Sequence, residues 1–290
     1  MKVVINTDDL ALTYGLTKAV EDCYTQGLIR SASILVNGTA YDFAVKSIKS
    51  GPLKKIGVGI HLNLTDGPAL TKELADVYGN YKFTFISLYK EVLTNPTILE
   101  SIRSDFARQI ESAISRDLSL DHIDSDKHVH MIPQIFQIAC SLAKRYHIPF
   151  VRLTNEPFLL SKEYLYPFLT LNIVKNLVLK EFSKVNMTTA NNYGLHYTDA
   201  VYGVLYTNNM TVDTFSACLS NALTNNFKVI EILIHPGYIN DPRDNTFPSP
   251  LMEKFSQDKA REIEAQTLLD AKLTSFIRTK NIALAKFSAI

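Results

Sequence analysis

The feature that most constrains the fold is a repeated alternation between short runs rich in β-branched residues and longer amphipathic stretches. The first run, "KVVIN", is followed by "TYGLTKAVEDCYTQG", whose apolar residues have helical spacing. Further runs that predict strands follow along the chain: "IRSASILVNG", "KIGVGIHLNLT", "HIDSDKHVH", "PFVRLT", "AVYGVLYT", "KVIEILIHPG" and "IALAKFSAI". Strands that alternate with helices predict a parallel sheet with helical crossovers.

Seven or eight such units predict an α/β fold, a TIM-like (β/α) barrel with seven or eight parallel strands, and an open doubly wound sheet is the alternative. Two long helices are predicted at about 94–116 and 256–279. Because no linker or low-complexity segment divides the 290 residues, we expect one domain over 1–290. A hydrophobic, partly helical insertion at about 158–198 interrupts the alternation. It is interpreted either as a substrate lid or as a subunit contact, which would make the protein a homodimer.

Charge and cysteine content exclude several classes of function. The chain has 30 basic and 29 acidic side chains, so no basic face is expected for nucleic acid or an anionic membrane. The three cysteines are widely spaced and form no CxxC pair, which predicts buried free thiols in a reducing compartment. No signal peptide or membrane-spanning run is predicted either. We therefore expect a cytoplasmic protein.

Polar side chains collect where the predicted strands end. The densest group is "HIDSDKHVH" at 122–130, where an extended chain would place every histidine and aspartate on one face. In a barrel of parallel strands all carboxyl ends open onto one face, where such enzymes build their active sites. The other polar residues at predicted strand ends are Asp8, Asp9, Asn37, His61, Asn63, Arg152 and His235.

Each of these residues also has a purely structural interpretation. The Asp8–Asp9 pair could cap a helix, and His61 alone could be a core histidine. Together, however, carboxylates and imidazoles without cysteine suit a catalytic divalent ion, either Zn²⁺ or a harder ion such as Mg²⁺ or Mn²⁺. The sequence has no Walker A loop, no GxGxxG fingerprint and no GxSxG elbow, which disfavours an NTPase, a dinucleotide-dependent enzyme and a serine hydrolase. The residues thus predict a metal-assisted hydrolase or lyase on a barrel.

Four segments together resemble the YdjC-like carbohydrate deacetylases, the family that includes chitooligosaccharide (chitin disaccharide) deacetylase. They occur in order from about residue 3 to 240: "NTDDLALTYGLTKAVEDCYTQGLIRSASILVNG", "GVGIHLNLTDG", "HIDSDKHVHMIPQIF" and "EILIHPGY". The resemblance implies a distorted barrel and a divalent metal ion, with Mg²⁺ or Zn²⁺ expected and Mn²⁺ as a further alternative. It also implies hydrolysis of a linear amide, the N-acetyl group of small N-acetylated oligosaccharides.

The resemblance also implies roles for individual residues. Asp8 would be the general base, and His235 a general acid or a stabiliser of the oxyanion. Asp9, His61 and Asp126 would be the metal ligands. Arg152 would bind a carboxylate or fix Asp8. The residues predicted to contact the sugar are Asn37, Asn63, His128, His130, Arg152 and Tyr238, with Tyr202 as the alternative stacking residue.

The chain departs from the family at Asp126, because the family usually has histidine there, at the end of His-x-Asp-Ser-His. A carboxylate lowers the net charge of the site by one unit, which weakens the Lewis acidity of the ion and favours harder metals. His128 is the alternative third ligand. Two other functions also remain open, a non-catalytic carbohydrate-binding relic and another metal-dependent sugar hydrolase such as a sugar phosphatase. The phosphatase would need a basic cluster, for which Arg152 and Lys127 are the candidates.

Overall fold

The computed structural model describes residues 1–163 and 165–290, and its parallel strands form one curled sheet. The strands pair in the order β5-β4-β3-β2-β1-β7-β6, and β8 also pairs with β1. No strand pairing joins β5 to β6 in these ranges, so the sheet is a half-barrel with helices around it, which confirms the TIM-like α/β prediction. The strands are β1 (Lys2–Leu10), β2 (Ser31–Ile34), β3 (Gly57–Leu62), β4 (His122–Ser125), β5 (Phe150–Val151), β6 (Ala200–Tyr202), β7 (Val229–Ile234) and β8 (Ala283–Ala285).

The helices follow the predicted alternation, but one of the two predicted long helices is divided. The helix predicted at about 94–116 is a single helix at Ile98–Ile114. A separate helix at Phe85–Thr94 precedes it, and Pro96 lies between the two, where it cannot continue a hydrogen-bonded helix. The stretch near 256–279 is divided at Asp270, whose side chain caps the second helix. The helices are α1 (Tyr14–Thr25), α2 (Tyr41–Ser50), α3 (Phe85–Thr94), α4 (Ile98–Ile114), α5 (Pro133–Arg145), α6 (Tyr166–Leu169), α7 (Asn172–Tyr193), α8 (Val212–Thr224), α9 (Pro250–Ser256), α10 (Ala260–Leu269) and α11 (Ala271–Thr279).

The long strand β1 lies at the centre of the sheet and carries the Asp-Asp pair. It pairs with β7 along Lys2–Thr7 and with β2 from Asn6 onward. The register with β2 shifts between Thr7 and Leu10, and Asp9 has a left-handed backbone with φ of 63°. Such an irregularity re-aims side chains at the end of a strand. Both carboxylates therefore reach the same end of the sheet.

The segment after β4 does not continue as a strand, so the predicted alternation over 122–130 is wrong beyond Ser125. Asp126–Met131 forms tight 3₁₀ turns, and Lys127 and His128 adopt left-handed φ values of 48° and 59°. β5 pairs only with His122 and Ile123, so in the described part of the chain the residues that follow Ile123 have no partner strand on that side. Without ladder hydrogen bonds the chain turns.

The described residues of the predicted insertion contain two helices and no strand, while residue 164 lies outside the described ranges. It comprises α6 and α7, and α7 packs against α5. Leu169, the last residue of α6, and Leu171, in the connection to α7, are 82% and 81% exposed. Whether the insertion is a lid or a subunit contact stays a prediction.

The three cysteines, Cys23, Cys140 and Cys218, are buried and unpaired, as predicted. Across the described residues, no helix has both the length and the apolar composition that crossing a bilayer requires.

Candidate metal and active site

One pocket at the carboxyl ends of the strands collects most of the predicted site residues. Asp8 and Asp9 come from β1, His61 from the end of β3, Asp126 from the turn after β4, and His235 from the residue after β7. The pocket wall also includes Asn63, Asp66, Lys127, His128, Lys175, Asn208 and Phe255. The strand-end pattern in the sequence therefore corresponds to a real convergence in space.

Two carboxylates and one imidazole in this pocket have the geometry of a metal-binding group. Asp9, His61 and Asp126 each offer a ligand atom, and these atoms lie within 4.8 Å of one another. His61 Nε2 is 3.4 Å from Asp9 Oδ1. Oxygen and imidazole donors of this kind fit a divalent ion. The structure brings Asp126, and not His128, into this group.

A second group of potential ligands, Asp8, His61 and Asp124, is less suited to an ion. Arg152 Nη2 lies 2.6 Å from Asp8 Oδ1 and 2.7 Å from Asp124 Oδ2. The guanidinium therefore already places a positive charge between these two carboxylates.

His61 is oriented by a buried carboxylate. Its Nδ1 lies 2.7 Å from Asp124 Oδ1, which leaves Nε2 directed toward Asp9. Burial alone would lower the pKa of His61, but Asp124 and the other nearby carboxylates raise this pKa well above its usual value. A cation at Nε2 would take the place of the second ring proton.

Asp124 belongs to a longer polar chain inside the half-barrel. Its Oδ2 accepts a hydrogen bond from Ser33 Oγ at 2.6 Å, and Ser33 Oγ lies 2.9 Å from His122 Nε2. The His122 ring lies against Gly59, where a Cβ atom would clash with the ring. The absence of a side chain at position 59 therefore leaves room for His122 close to the third strand.

Asp8 is held in its ionised form by Arg152. The guanidinium donates to both carboxylate oxygens, at 2.7 Å and 2.6 Å, and Asn6 Nδ2 donates at 3.0 Å. Burial would raise the pKa of Asp8, but Arg152 and the nearby His61 bring it well below its ordinary value. Arg152 also binds Glu231 and is 1% exposed, so it lies behind Asp8 and not on the pocket wall.

His235 is positioned by a glutamate from α10. Its backbone N–H donates to Glu264 Oε2 at 2.6 Å, and its Nδ1 lies 3.6 Å from the same oxygen. Burial would raise the pKa of Glu264, but Arg261 and His235 lower it. The carboxylate beside His235 is therefore ionised at neutral pH.

Asp126 has a partner that the sequence reasoning did not assign to it. Lys127 Nζ lies 2.9 Å from Asp126 Oδ2, and Thr65 Oγ1 donates to the same oxygen. Burial would lower the pKa of Lys127, but Asp126 raises it above its usual value. The negative charge that a carboxylate adds at position 126 is therefore offset by the ammonium of the next residue.

Of the predicted sugar contacts, Asn63 and His128 line the pocket, but several others do not. His130 is fully buried, with its ring nitrogens 2.6 Å from Ser125 Oγ and 3.0 Å from the Arg152 carbonyl oxygen. Asn37 Nδ2 donates to the carbonyl oxygens of Asp66 and Pro68.

The two predicted tyrosines are also turned to other partners. The Tyr238 hydroxyl donates to Asp22 Oδ2 at 3.1 Å, against α1. The Tyr202 hydroxyl donates to Asn221 of α8, and its ring is in the core. Neither ring lines the pocket wall. The direction of a side chain near a strand end depends on its packing, which the sequence pattern does not predict.

Sequence reasoning missed Lys175 of α7, Asn208 and Phe255, all on the pocket wall. Burial lowers the pKa of Lys175, although Asp126, Glu156 and Asp8 act in the opposite direction. No local motif marks these three residues, since each reaches the pocket through tertiary packing. Thr65, by contrast, lies within the segment "GVGIHLNLTDG", where a search for polar neighbours of His61 could have found it.

Comparisons with known proteins give one family. The model of the family described as YdjC-like protein matches residues 2–279. A carbohydrate deacetylase of Clostridium beijerinckii is 26% identical over 295 residues, which cover all of both chains. A carbohydrate deacetylase of Brevibacillus brevis is 27% identical over 293 residues, again covering all of both chains.

Among solved structures, a proposed cellobiose-phosphate cleavage protein of Enterococcus faecalis V583 superimposes with a TM-score of 0.76. The two chains are 20% identical, and the match covers 100% of this chain and 99% of the other. At this identity the likeness concerns the fold.

Proposed function

The chain belongs to the YdjC-like protein family, and from that premise we propose that it is a metal-dependent carbohydrate deacetylase. Its substrates would be small N-acetylated oligosaccharides such as chitooligosaccharides. The observation that best supports the proposal is a single pocket in which Asp9, His61 and Asp126 form a metal-binding group beside Asp8 and His235.

The metal ion would be held by one oxygen each from Asp9 and Asp126 and by Nε2 of His61. Mg²⁺, Zn²⁺ and Mn²⁺ are the candidates, and the two carboxylates favour the harder ions. When bound, the ion would supply Lewis acidity that polarises the acetyl carbonyl and makes water a better nucleophile.

Asp8 would accept the proton of the attacking water. Its lowered pKa keeps it a carboxylate at neutral pH, and Arg152 fixes its orientation. The water oxygen bonds to the carbonyl carbon. His235 would then donate a proton to the amide nitrogen, because an amine leaves only when that nitrogen is protonated. The C–N bond breaks and gives acetate and a free amino sugar.

The direct test is acetate release from N,N′-diacetylchitobiose by the purified chain loaded with Mg²⁺, Mn²⁺ or Zn²⁺. We expect release to be abolished by a chelator and restored by added metal, and to fall by about 10²–10⁴-fold in Asp8→Asn, which removes the base. Asp42→Asn, at an exposed carboxylate on α2, is the control that should retain activity. Sugar binding without acetate release under all three metals would instead identify a carbohydrate-binding relic.

A second candidate is a hydrolase that acts on a phosphorylated sugar. Lys175 lines the pocket together with Lys127, which gives two ammonium groups there, whereas Arg152 is engaged by Asp8, Asp124 and Glu231. Measuring phosphate and acetate release from the same phosphorylated, N-acetylated sugar separates the two activities.

A further inference from the structure

The two carboxylate oxygens of Asp126 have different surroundings. Oδ2 accepts hydrogen bonds from Thr65 Oγ1 and from Lys127 Nζ, the latter at 2.9 Å. Lys127 Nζ also donates to Thr65 Oγ1 at 2.8 Å, so the three groups form a closed triangle. Among the described residues no donor reaches Oδ1. Oδ1 is therefore the oxygen that remains for a cation shared with Asp9 and His61.

An unusual backbone conformation brings Lys127 to this position. In an extended strand, Lys127 would point to the face opposite Asp126. Instead, Lys127 and His128 have φ values of 48° and 59°, a conformation that residues other than glycine rarely adopt, least of all twice in succession. The turn puts the ammonium and the carboxylate on the same side of the chain. The two left-handed residues, Lys127 and His128, thus directly follow Asp126, at the point where Lys127 contacts the metal-binding group.

The contact between Lys127 and Asp126 affects the net charge of the metal-binding group. Asp9 and Asp126 carry two negative charges, which a divalent ion would balance, while Asp8 is already paired with Arg152. With the ammonium of Lys127 added, the ion and its three ligand side chains would then have one net positive charge. A site with one carboxylate and two neutral imidazoles would have the same net charge.

We propose that Lys127 is a positioning residue that compensates for the aspartate at the third ligand position. It holds Oδ2, presents Oδ1 to the ion and offsets the negative charge that a carboxylate adds in place of an imidazole. The inference rests on the metal site of the proposed function. Because a nearby positive charge repels the ion, Lys127 weakens metal affinity and preserves the Lewis acidity of the bound ion.

The test is a calorimetric titration of Mn²⁺ into the metal-stripped wild-type chain and into Lys127→Met, Lys127→Gln and Lys127→Arg. The two neutral variants should bind Mn²⁺ about tenfold more tightly, because the repulsion is removed. Lys127→Arg retains the charge and the donors and should bind as the wild type does. Equal or weaker binding in both neutral variants would overturn the proposal.

Lys175→Met is the matched control, because Lys175 lines the same pocket but makes no hydrogen bond or ion pair with Asp126 in the described part of the chain. It should change the Mn²⁺ affinity less than Lys127→Met does, and an equal gain would overturn the specific role of the Lys127 contact. Failure of every chain to bind Mn²⁺ would overturn both this proposal and the proposed metal dependence. The expected order of affinities, with no acetate release from any chain, would support the role of Lys127 while overturning the proposed deacetylase function.

Discussion

At the scale of single residues, the two ring nitrogens of His61 have different partners. Nδ1 is engaged by Asp124, so only Nε2 faces Asp9 and the pocket. Asp124 is fully buried and is itself held by Ser33 and Arg152. A rigid carboxylate of this kind selects the ring tautomer that leaves Nε2 for a ligand bond.

Neutralising that carboxylate should weaken metal binding. In Asp124→Asn the Nδ1–H of His61 loses its charged acceptor, and we expect the Kd for Mn²⁺ to rise by about 10–100-fold. Calorimetry on the metal-stripped protein measures the change. Ser33→Ala is the control, since it removes a donor to Asp124 but keeps the charge, and its effect should be smaller. An unchanged Kd in Asp124→Asn would show that His61 is oriented without it.

The sequence predicted the negative charge of Asp126 but not the pairing of Asp126 with Lys127. The substitution of aspartate for the family's histidine was visible, and so was the lysine beside it. An extended strand, however, would have placed these side chains on opposite faces. Only the turn with left-handed residues at 127 and 128 brings them together.

At the scale of elements, a buried glutamate connects α7 to the segment that follows β6. Glu156 accepts hydrogen bonds from the backbone N–H groups of Gly203 and Leu205 and from Asn176 of α7. Two residues of the pocket wall are close to these contacts: Lys175 is next to Asn176 in α7, and Asn208 lies in the segment after β6. The position of this side of the pocket therefore depends on one carboxyl group.

The stability of the protein should depend on pH through Glu156. Burial raises its pKa from the ordinary 4.5 to about 7, against the effect of its hydrogen-bond donors. Between these two values the folded state binds more protons than the unfolded state, so stability falls as the pH rises from about 4.5 to about 7. The difference between these two pKa values corresponds to about 3 kcal/mol of unfolding free energy.

Urea unfolding at a series of pH values from 5 to 8 provides the measurement. Glu156→Gln should lose this part of the pH dependence, whatever its absolute stability. Glu181→Gln, at an exposed site on α7, should retain the slope of the wild type. The same slope in all three proteins would contradict the assignment to Glu156.

At the scale of the whole molecule, the candidate metal-binding group of Asp9, His61 and Asp126 connects parts of the chain that are far apart in sequence. Its side chains come from β1, from β3 and from the turn after β4. These strands are held by parallel pairing through β2, so the group exists only in the folded sheet. An ion bound there binds the native state and not the unfolded chain.

Metal ions should therefore stabilise the whole fold. At a free concentration of 100 times its Kd, the ion should add about 2.7 kcal/mol to the unfolding free energy. The Tm should rise with metal concentration and return to its starting value after chelation. Asp9→Asn, which removes one ligand, should lose most of the shift. A Tm that is insensitive to Mg²⁺, Mn²⁺ and Zn²⁺ would count against the site.

The sequence alone determined the parallel α/β architecture, because strand-like and helical periodicities alternate along nearly the whole chain, and crossover connections between parallel strands follow from that alternation. It also determined that Asp8, Asp9, His61 and His235 would meet, since the carboxyl ends of parallel strands share one side of a sheet. These conclusions rest on local patterns combined with one general rule of topology.

The tertiary structure decided the details that local patterns do not encode. It turned Tyr238 to Asp22 and buried His130, brought Lys175 into the pocket from a distant helix, and paired Lys127 with Asp126 across a left-handed turn. In each case the position of the side chain depends on partners remote in sequence or on a backbone conformation that a period of two residues does not predict. Spacing along the chain can place a residue at an end of the sheet, but packing decides which atoms it faces.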